Sequence, residues 1–255
     1  METKFCVSIT EDYRCFKKGE CFDIPIFVDT VNYIVGENGS GKSTVLKRIR
    51  SERDDLKKDI KKMLNGMYSQ ELELAKFDPI EITGVFETFD MVFALDAIED
   101  DPTNFINAAT ASGLIMGGGL RAGKLSKGEK SVMLISRFIS QVEKATGITI
   151  NGHRSGKRLD KKSLILVDEI DEGLDLEKMF TFDKMLKNMC NVFNATVVCV
   201  CHNPFVCFGS PLGKHCPVFN IEKRKLTSIS KYVEEKTGYL FNLTKIENEK
   251  KEQNN

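Results

Sequence analysis

The sequence predicts an α/β fold in which a mainly parallel sheet is covered by helices. Two continuous apolar stretches, Ser163 to Glu169 and Ala195 to His202, have the length of buried strands. Segments with helical spacing, Ser126 to Ala145 and Leu176 to Phe193, precede each of them. Strands that are apolar throughout and alternate with helices are typical of a parallel sheet buried on both faces.

The N-terminal part of the chain is predicted to be rich in strands. Lys4 to Thr10 and Glu20 to Val28 alternate apolar and polar side chains around a polar turn, which predicts an antiparallel β hairpin. Thr30 to Val35 is rich in β-branched residues and predicts a short buried strand. Helical spacing predominates from Leu46 to Ala75, and Glu81 to Phe86 is predicted to be a further strand.

The middle of the chain is predicted to be helical. Asp90 to Ile98 is interpreted as a helix, and Asn107 to Gly123 is a passage of small residues and glycines. The helix that begins near Ser126 is predicted to bury one apolar face, formed by Val132, Leu134, Ile135, Phe138, Ile139 and Val142. We expect one domain over residues 1–245, with a helical subdomain at about 88–145 and a disordered charged tail at 246–255.

Charge and composition exclude several classes of protein. The 37 basic and 37 acidic residues give a net charge of zero, so no global field attracts nucleic acid or anionic lipid. No stretch approaches the roughly 18 apolar residues of a membrane span, and the first residues do not have the pattern of a secretory leader. The eight cysteines follow no paired framework. We therefore expect a cytoplasmic protein in a reducing compartment.

A glycine-rich loop follows the strand Thr30 to Val35. Gly36 to Thr44 (GENGSGKST) fits the phosphate-binding pattern G-x-x-x-x-G-K-[ST], and it lies between a predicted strand and a predicted helix. Backbone amides at such a helix N-terminus bind phosphate, a lysine adds a full positive charge, and a hydroxyl can ligate Mg2+. The predicted nucleotide-binding residues are Gly36, Asn38, Gly39, Ser40, Gly41, Lys42, Ser43 and Thr44.

Two carboxylates end the apolar strand that begins at Ser163. At the carboxyl end of such a strand, Asp168 is predicted to bind Mg2+ together with Ser43, and Glu169 to position or deprotonate an attacking water. The alternative is a pair of acids that only caps a helix, because Asp and Glu favour helix N-termini.

The stretch Leu125 to Glu129 (LSKGE) resembles the LSGGQ/LSGGE signature of ABC-type ATPases. Ser126 and Glu129 also have the spacing of a capping box, which is the purely structural alternative. The resemblance implies that Ser126, Gly128 and Glu129 face the γ-phosphate of an ATP molecule held by a second subunit.

Two more positions resemble this family in the order in which the family has them. Asp175, after Glu172, Gly173 and Leu174, resembles the D-loop aspartate that couples the two active sites of a dimer. His202 resembles the switch histidine that contacts the γ-phosphate. The resemblance spans roughly Phe5 to Phe205. It implies an ATPase with ATP and Mg2+, head-to-tail homodimerisation on ATP binding, and catalytic roles for Lys42, Glu169 and His202.

Two segments favour the soluble RecF- and SMC-type branch of these ATPases. Residues before the loop, including Tyr13 to Phe16, resemble its N-terminal hairpin, which implies that Arg14 approaches the nucleotide. Cys201 to Phe205 (CHNPF) resembles its histidine segment. The sequence has no coiled-coil arm. By analogy, this branch points to DNA repair, genome maintenance or defence against mobile elements.

Some expected features are altered or ambiguous. The Q-loop glutamine is absent, and Glu87 or Thr88 stands where it is expected. The basic loop 150–162 is interpreted as solvated, or as a contact for an effector protein or nucleic acid. A zinc site among the cysteines and histidines of 199–216 is disfavoured by their spacing. The rival functions are an ATPase subunit of a membrane transporter and an ATP-dependent dimerisation switch with negligible turnover.

Overall fold

The computed structural model describes residues 2–51, 79–84, 88–96, 126–149, 159–171, 174–209 and 213–237. The strands are β1 (Glu2–Ile9), β2 (Cys21–Phe27), β3 (Val31–Val35), β4 (Ile80–Gly84), β5 (Met91–Asp96), β6 (Ser163–Asp168), β7 (Ala195–Val200), β8 (Pro217–Asn220) and β9 (Lys225–Ser228). The helices are α1 (Lys42–Ser51), α2 (Lys127–Thr146), α3 (Leu176–Val192) and α4 (Ile229–Thr237), with 3-10 helices at Pro204–Gly209 and Gly213–His215.

The larger sheet has six strands in the order β5-β6-β7-β3-β8-β9. All neighbours are parallel except β8 and β9, which form an antiparallel pair. Every residue of β6 and β7 is buried, as the apolar runs predict. The predicted α/β class with a mainly parallel sheet is confirmed.

The smaller sheet is antiparallel, with the order β2-β1-β4. β1 and β2 pair from Glu2 with Phe27 to Ser8 with Cys21, so the predicted N-terminal hairpin is confirmed. The strand predicted at Glu81 to Phe86 is β4, and it joins β1 rather than the parallel sheet.

The six-stranded sheet is covered on both faces because alternate residues of its strands pack into different cores. Ile165 and Val167 of β6 pack with α2, α3 and α4. Leu164 and Leu166 pack with α1 and with the inner side of the small sheet. The carboxyl ends of the parallel strands are therefore held between two apolar layers.

One helix prediction is wrong. Asp90 to Ile98 was interpreted as a helix, but Met91–Asp96 forms β5 and pairs with all six residues of β6. Met, Ala and Leu favour helices, and six residues are too few for a periodicity to decide, so tertiary pairing prevails. In consequence, the first described part of the predicted helical subdomain 88–145 belongs to the central sheet.

The apolar face of α2 is narrower than predicted. Leu134, Ile135, Phe138 and Val142 are buried and Ile139 packs partly against the same core, whereas the side chain of Val132 is 44% exposed. Val132 therefore lies outside the face that α2 buries.

Several predictions fall outside the described residues. They are the helix beyond Ser51, the passage 107–123, most of the basic loop 150–162 and the tail 246–255. Within the described ranges, none of the helices combines the length and apolar character needed to cross a bilayer.

The side chain of Asn32 joins three segments near the start of the parallel strands. Its amide oxygen accepts a hydrogen bond from Phe27 N at 2.7 Å. Its amide nitrogen donates to Phe27 O at 2.9 Å and to Val197 O at 3.2 Å. Asn32 is buried, so it fastens the end of β2 to both β3 and β7.

We expect Asn32→Ala to lower the free energy of unfolding by about 1–3 kcal/mol, because it leaves the Phe27 amide and the Val197 carbonyl buried without this partner. Denaturant unfolding followed by circular dichroism measures the effect. Glu81→Ala, at an exposed position of β4, is the control. A loss for Asn32→Ala no larger than that of the control would contradict the assignment.

Candidate nucleotide-binding site

The glycine-rich loop connects β3 to α1 at the carboxyl edge of the parallel sheet. Gly39 and Gly41 have φ angles of 81° and 93°, which glycine adopts without strain. A Cβ atom on Gly41 would collide with the ring of Phe16, so the turn after β1 packs in direct contact with the loop.

The side chain of Lys42 lies inside the loop and is only 3% exposed. Its Nζ donates to the carbonyl oxygens of Gly36 at 3.0 Å and Glu37 at 3.1 Å. Glu169 Oε1 is 3.8 Å from the same nitrogen. A buried ammonium group is thus held at the centre of the predicted phosphate site, facing one of the two predicted acids.

Ser43 connects the loop to the acid strand. Its hydroxyl donates to Asp168 Oδ1 at 2.9 Å, although β3, which leads into the loop, is separated from β6 by β7. A hydroxyl and a carboxylate are hard oxygen ligands of the kind that Mg2+ accepts. The structure therefore brings the two predicted Mg2+ ligands into contact.

Glu169 lies one residue beyond the end of β6 in a left-handed conformation, with φ of 50°. Its backbone N–H donates to Val200 O at 3.1 Å, and its side chain is partly exposed. Non-glycine residues seldom adopt this conformation outside functional sites and tight turns. The result is a carboxylate that projects from the sheet edge towards Lys42.

Asp96 is a site residue that the sequence analysis missed. It ends β5 directly opposite Asp168 in the register, is only 5% exposed, and has its carboxylate 3.1 Å from Lys47 Nζ. Of the two residues expected in place of the missing glutamine, Glu87 is outside the described residues and Thr88 lines a groove with Lys4. The sequence signal for Asp96 is an acid that directly follows a short apolar segment. Because that segment is predicted to be a helix, the acid is not recognised as the end of a strand.

The environment of Asp168 disfavours its charged form. Its pKa is raised to about 6, chiefly by burial and in part by the nearby carboxylates of Asp96 and Glu169. The hydrogen bond from Ser43 and the charge of Lys47 act in the opposite direction. Three acids converge at this edge, so a cation here would be stabilised electrostatically.

Arg14 lies against the loop. Its guanidinium donates to Thr44 Oγ1 at 3.0 Å and sits 5.2 Å from the ring centroid of Tyr13. Arg14 has a φ of 55° in the tight turn closed by the pairing of Tyr13 with Phe16. The turn therefore presents a cation beside the N-terminus of α1.

His202 follows β7, the strand between the loop strand and the acid strand. It is exposed, and its backbone N–H donates to Asp171 Oδ1 at 3.1 Å. The parallel order of β6, β7 and β3 brings His202 to the same sheet edge as Asp168 and the loop.

Ser126 caps the N-terminus of α2. Its hydroxyl accepts from Glu129 N at 3.3 Å, and its own N–H donates to Glu129 Oε2 at 2.8 Å, so the capping box is confirmed. These hydrogen bonds lower the pKa of Glu129. Gly128 is buried in the first turn.

Asp175 caps α3 and accepts a hydrogen bond from Lys178 N at 2.9 Å. The ammonium group of Lys178 pairs with the same carboxylate and also lowers the pKa of Glu129. The beginnings of α2 and α3 are therefore close enough to interact electrostatically. Glu172 and Gly173, between the acid pair and Asp175, are outside the described residues.

The loop fits a polyanionic ligand. Ser40 Oγ is buried and has no hydrogen-bond partner among the described residues, and Gly39 opens onto free space. Nowhere in the described ranges do three or more His, Cys, Asp or Glu side chains form a group suited to a metal ion. A Mg2+ ion bound by only Ser43 and Asp168 would take its other ligands from phosphate and water, as is usual for this ion.

No protein-family model matches the chain, and no curated protein matches it in sequence. Similar solved structures include an ABC transporter of metal-chelate type in an inward-facing conformation, at 17% identity and a TM-score of 0.47, with 92% of this chain and 88% of that one covered. A bacterial Atm1-family ABC exporter with ATP bound is 13% identical, with a TM-score of 0.45; the match covers 92% of this chain but only 40% of the exporter.

An ATP-binding cassette of an ABC transporter in its ADP conformation is 15% identical, with a TM-score of 0.38, and the match covers 87% of this chain and 89% of that one. All three TM-scores are below 0.5. At this level of similarity the neighbours do not assign a function to this chain.

We expect Asp168→Asn to stabilise the metal-free protein at high pH. The folded-state pKa of about 6 exceeds the ordinary aspartate value of 3.8, so wild-type stability falls as the pH rises towards and through 6, by about 2 kcal/mol relative to the variant between pH 4.5 and pH 8. Thermal unfolding in EDTA from pH 4.5 to pH 8 measures the difference.

The control for this experiment is Asp175→Asn. Hydrogen bonds from Lys178 lower the pKa of Asp175, so this carboxylate gives no loss of wild-type stability as the pH rises. A difference between wild type and Asp168→Asn that stays constant over the whole range would show that Asp168 is not desolvated.

Proposed function

We propose that the chain is a Mg2+-dependent ATPase. The observation that carries the proposal is the hydrogen bond between Ser43 and Asp168, formed beside the buried ammonium group of Lys42. A phosphate loop, a lysine and an acid strand in this arrangement are the parts that bind and activate a nucleoside triphosphate in P-loop enzymes.

In this proposal the loop amides and Lys42 bind the β- and γ-phosphates, and Arg14 contacts the nucleotide from the turn after β1. Ser43 and Asp168 hold Mg2+, which would neutralise charge on the phosphates. Glu169 orients the attacking water and accepts its proton, and His202 donates to the γ-phosphate. Phosphoryl transfer requires mainly positioning and charge stabilisation, and these side chains can supply both.

We further propose that two copies of the chain close head to tail around two ATP molecules. Ser126, Gly128 and Glu129 of one copy would then face the γ-phosphate held by the other, and Asp175 would lie at the interface. The support is the position of Ser126 at the N-terminus of α2, because this end of a helix favours an anion. The cellular settings named above rest on the sequence resemblance alone.

Lys42→Ala is expected to abolish ATP binding, because it removes the only full charge buried inside the described loop. Titration with a fluorescent ATP analogue in Mg2+ measures the affinity, and circular dichroism checks the fold. Lys17→Ala, an exposed lysine in the turn between β1 and β2, is the control and should bind as wild type does. Retained affinity in Lys42→Ala would remove the premise of the proposal.

Glu169→Gln is expected to bind ATP but to release phosphate at least about 100-fold more slowly, since an amide cannot accept the proton. The variant should therefore accumulate as an ATP-dependent dimer, which light scattering detects. The amide is isosteric with the carboxylate, so the left-handed backbone is kept.

Two outcomes of this experiment have different meanings. A variant that stays monomeric in saturating Mg-ATP would contradict the dimer but not the ATPase. Wild-type protein that dimerises without releasing phosphate would favour the dimerisation switch. Glu81→Gln, an exposed acid of β4, controls for loss of a carboxylate.

A further inference from the structure

Asp171 is a buried carboxylate for which the proposed reaction has no role. It lies three residues after Asp168 and is only 1% exposed. Its two oxygens accept hydrogen bonds from consecutive backbone amides of the turn after β7. Oδ1 accepts from His202 N at 3.1 Å, and Oδ2 accepts from Asn203 N at 2.6 Å.

The same residue also shapes the segment that leads to α3. The carbonyl oxygen of Asp171 accepts from Leu174 N at 3.2 Å, and the next residue, Asp175, is the N-cap of α3. On the other side, Asn203 Oδ1 accepts from Phe205 N at 3.0 Å and fixes the start of the 3-10 helix. Asp171 therefore makes hydrogen bonds both to the turn that carries His202 and to the segment that leads to Asp175.

A carboxylate that served only as a structural cap would be energetically unfavourable at this buried position. Burial, the largest cause, raises its pKa to about 7, and the two amide hydrogen bonds offset this only in part. Among the described residues, no cation lies within ion-pair distance of it. A carboxylate is the side chain that can accept from both amides simultaneously, which holds the peptide of His202 in one orientation.

We infer that Asp171 is a positioning residue for His202 and that it couples the placement of this histidine to the segment containing Asp175. The inference rests on the proposed ATPase function. A change at Asp175 on closure of the dimer would reach the turn that carries His202 through the hydrogen bond from Leu174 N to Asp171 O and the two bonds that the Asp171 carboxylate accepts from that turn.

The test is a double-mutant cycle in steady-state phosphate release at pH 8, with Asp171→Asn, His202→Ala and the double variant. The amide keeps one acceptor but presents N–H to an N–H donor, so we expect kcat to fall roughly tenfold while KM for ATP stays within about twofold. The double variant should equal His202→Ala, because a misplaced histidine and a missing one lose the same interaction.

Asp183→Asn is the matched control. Asp183 is an equally buried carboxylate that is hydrogen bonded to Tyr33 and Lys187 instead of to the backbone amides of the His202 turn. Its loss should destabilise the fold, and its effect on kcat should be multiplicative with that of His202→Ala. Multiplicative effects of Asp171→Asn and His202→Ala, or wild-type kcat in Asp171→Asn, would overturn the inference.

Asp171→Glu covers the case in which Asp171→Asn fails to fold. It keeps the charge but moves the oxygens by one methylene group, and the same kcat loss and the same non-additivity are expected. If both variants lose ATP binding together with turnover, Asp171 supports the fold as a whole and the inference is wrong.

The failure of the inference can be told apart from that of the proposed function. Wild type that releases no phosphate, or His202→Ala with wild-type kcat, would refute the proposed role of the site and the inference with it. An active wild type with an impaired His202→Ala and an unimpaired Asp171→Asn would refute the inference alone.

Discussion

The hydrogen bond from Ser43 to Asp168 is the contact on which the arrangement of the site depends. It joins the first turn of α1 to the end of β6 across the intervening strand β7. It can form only because β3, β7 and β6 run in the same direction, so that their carboxyl ends meet at one edge. The same parallel order brings His202 from β7 and Asp96 from β5 to that edge. Sheet topology, rather than local sequence, therefore assembles residues that are more than a hundred positions apart.

The residues at the carboxyl edge of the parallel sheet lower the stability of the folded protein. Lys42, Asp96, Asp168 and Asp171 are all buried there, and burial raises the pKa of the last two. Glu169 adds a left-handed backbone conformation. Such costs are tolerated where the surrounding structure fixes the geometry. Here the apolar cores on both faces of the sheet supply that constraint, since β6 and β7, which end at this edge, are buried along their whole length.

Sequence reasoning succeeded where one local signal determines a structure. The glycine loop, the apolar strands β6 and β7 and the capping box at Ser126 each have such a signal, and each is found. It failed at β5, because a six-residue apolar segment rich in helix formers becomes a strand only through pairing with β6. It made no prediction for β8, β9 and α4. Asp96 and Asp171 were missed for a related reason, since their roles depend on partners far away in sequence.

The candidate residues form two groups that the fold holds by different means. The loop, Asp168, Glu169 and His202 are fixed by strands of one sheet, whereas Ser126, Glu129 and Asp175 are fixed by the beginnings of α2 and α3. Lys178 links the helix beginnings electrostatically, since it pairs with Asp175 and lowers the pKa of Glu129. The covalent path from the sheet group to the helix group runs through residues 169–175. Asp171 lies on this path and also holds the His202 turn, so a displacement of the helix group that reaches Asp171 changes the sheet group as well.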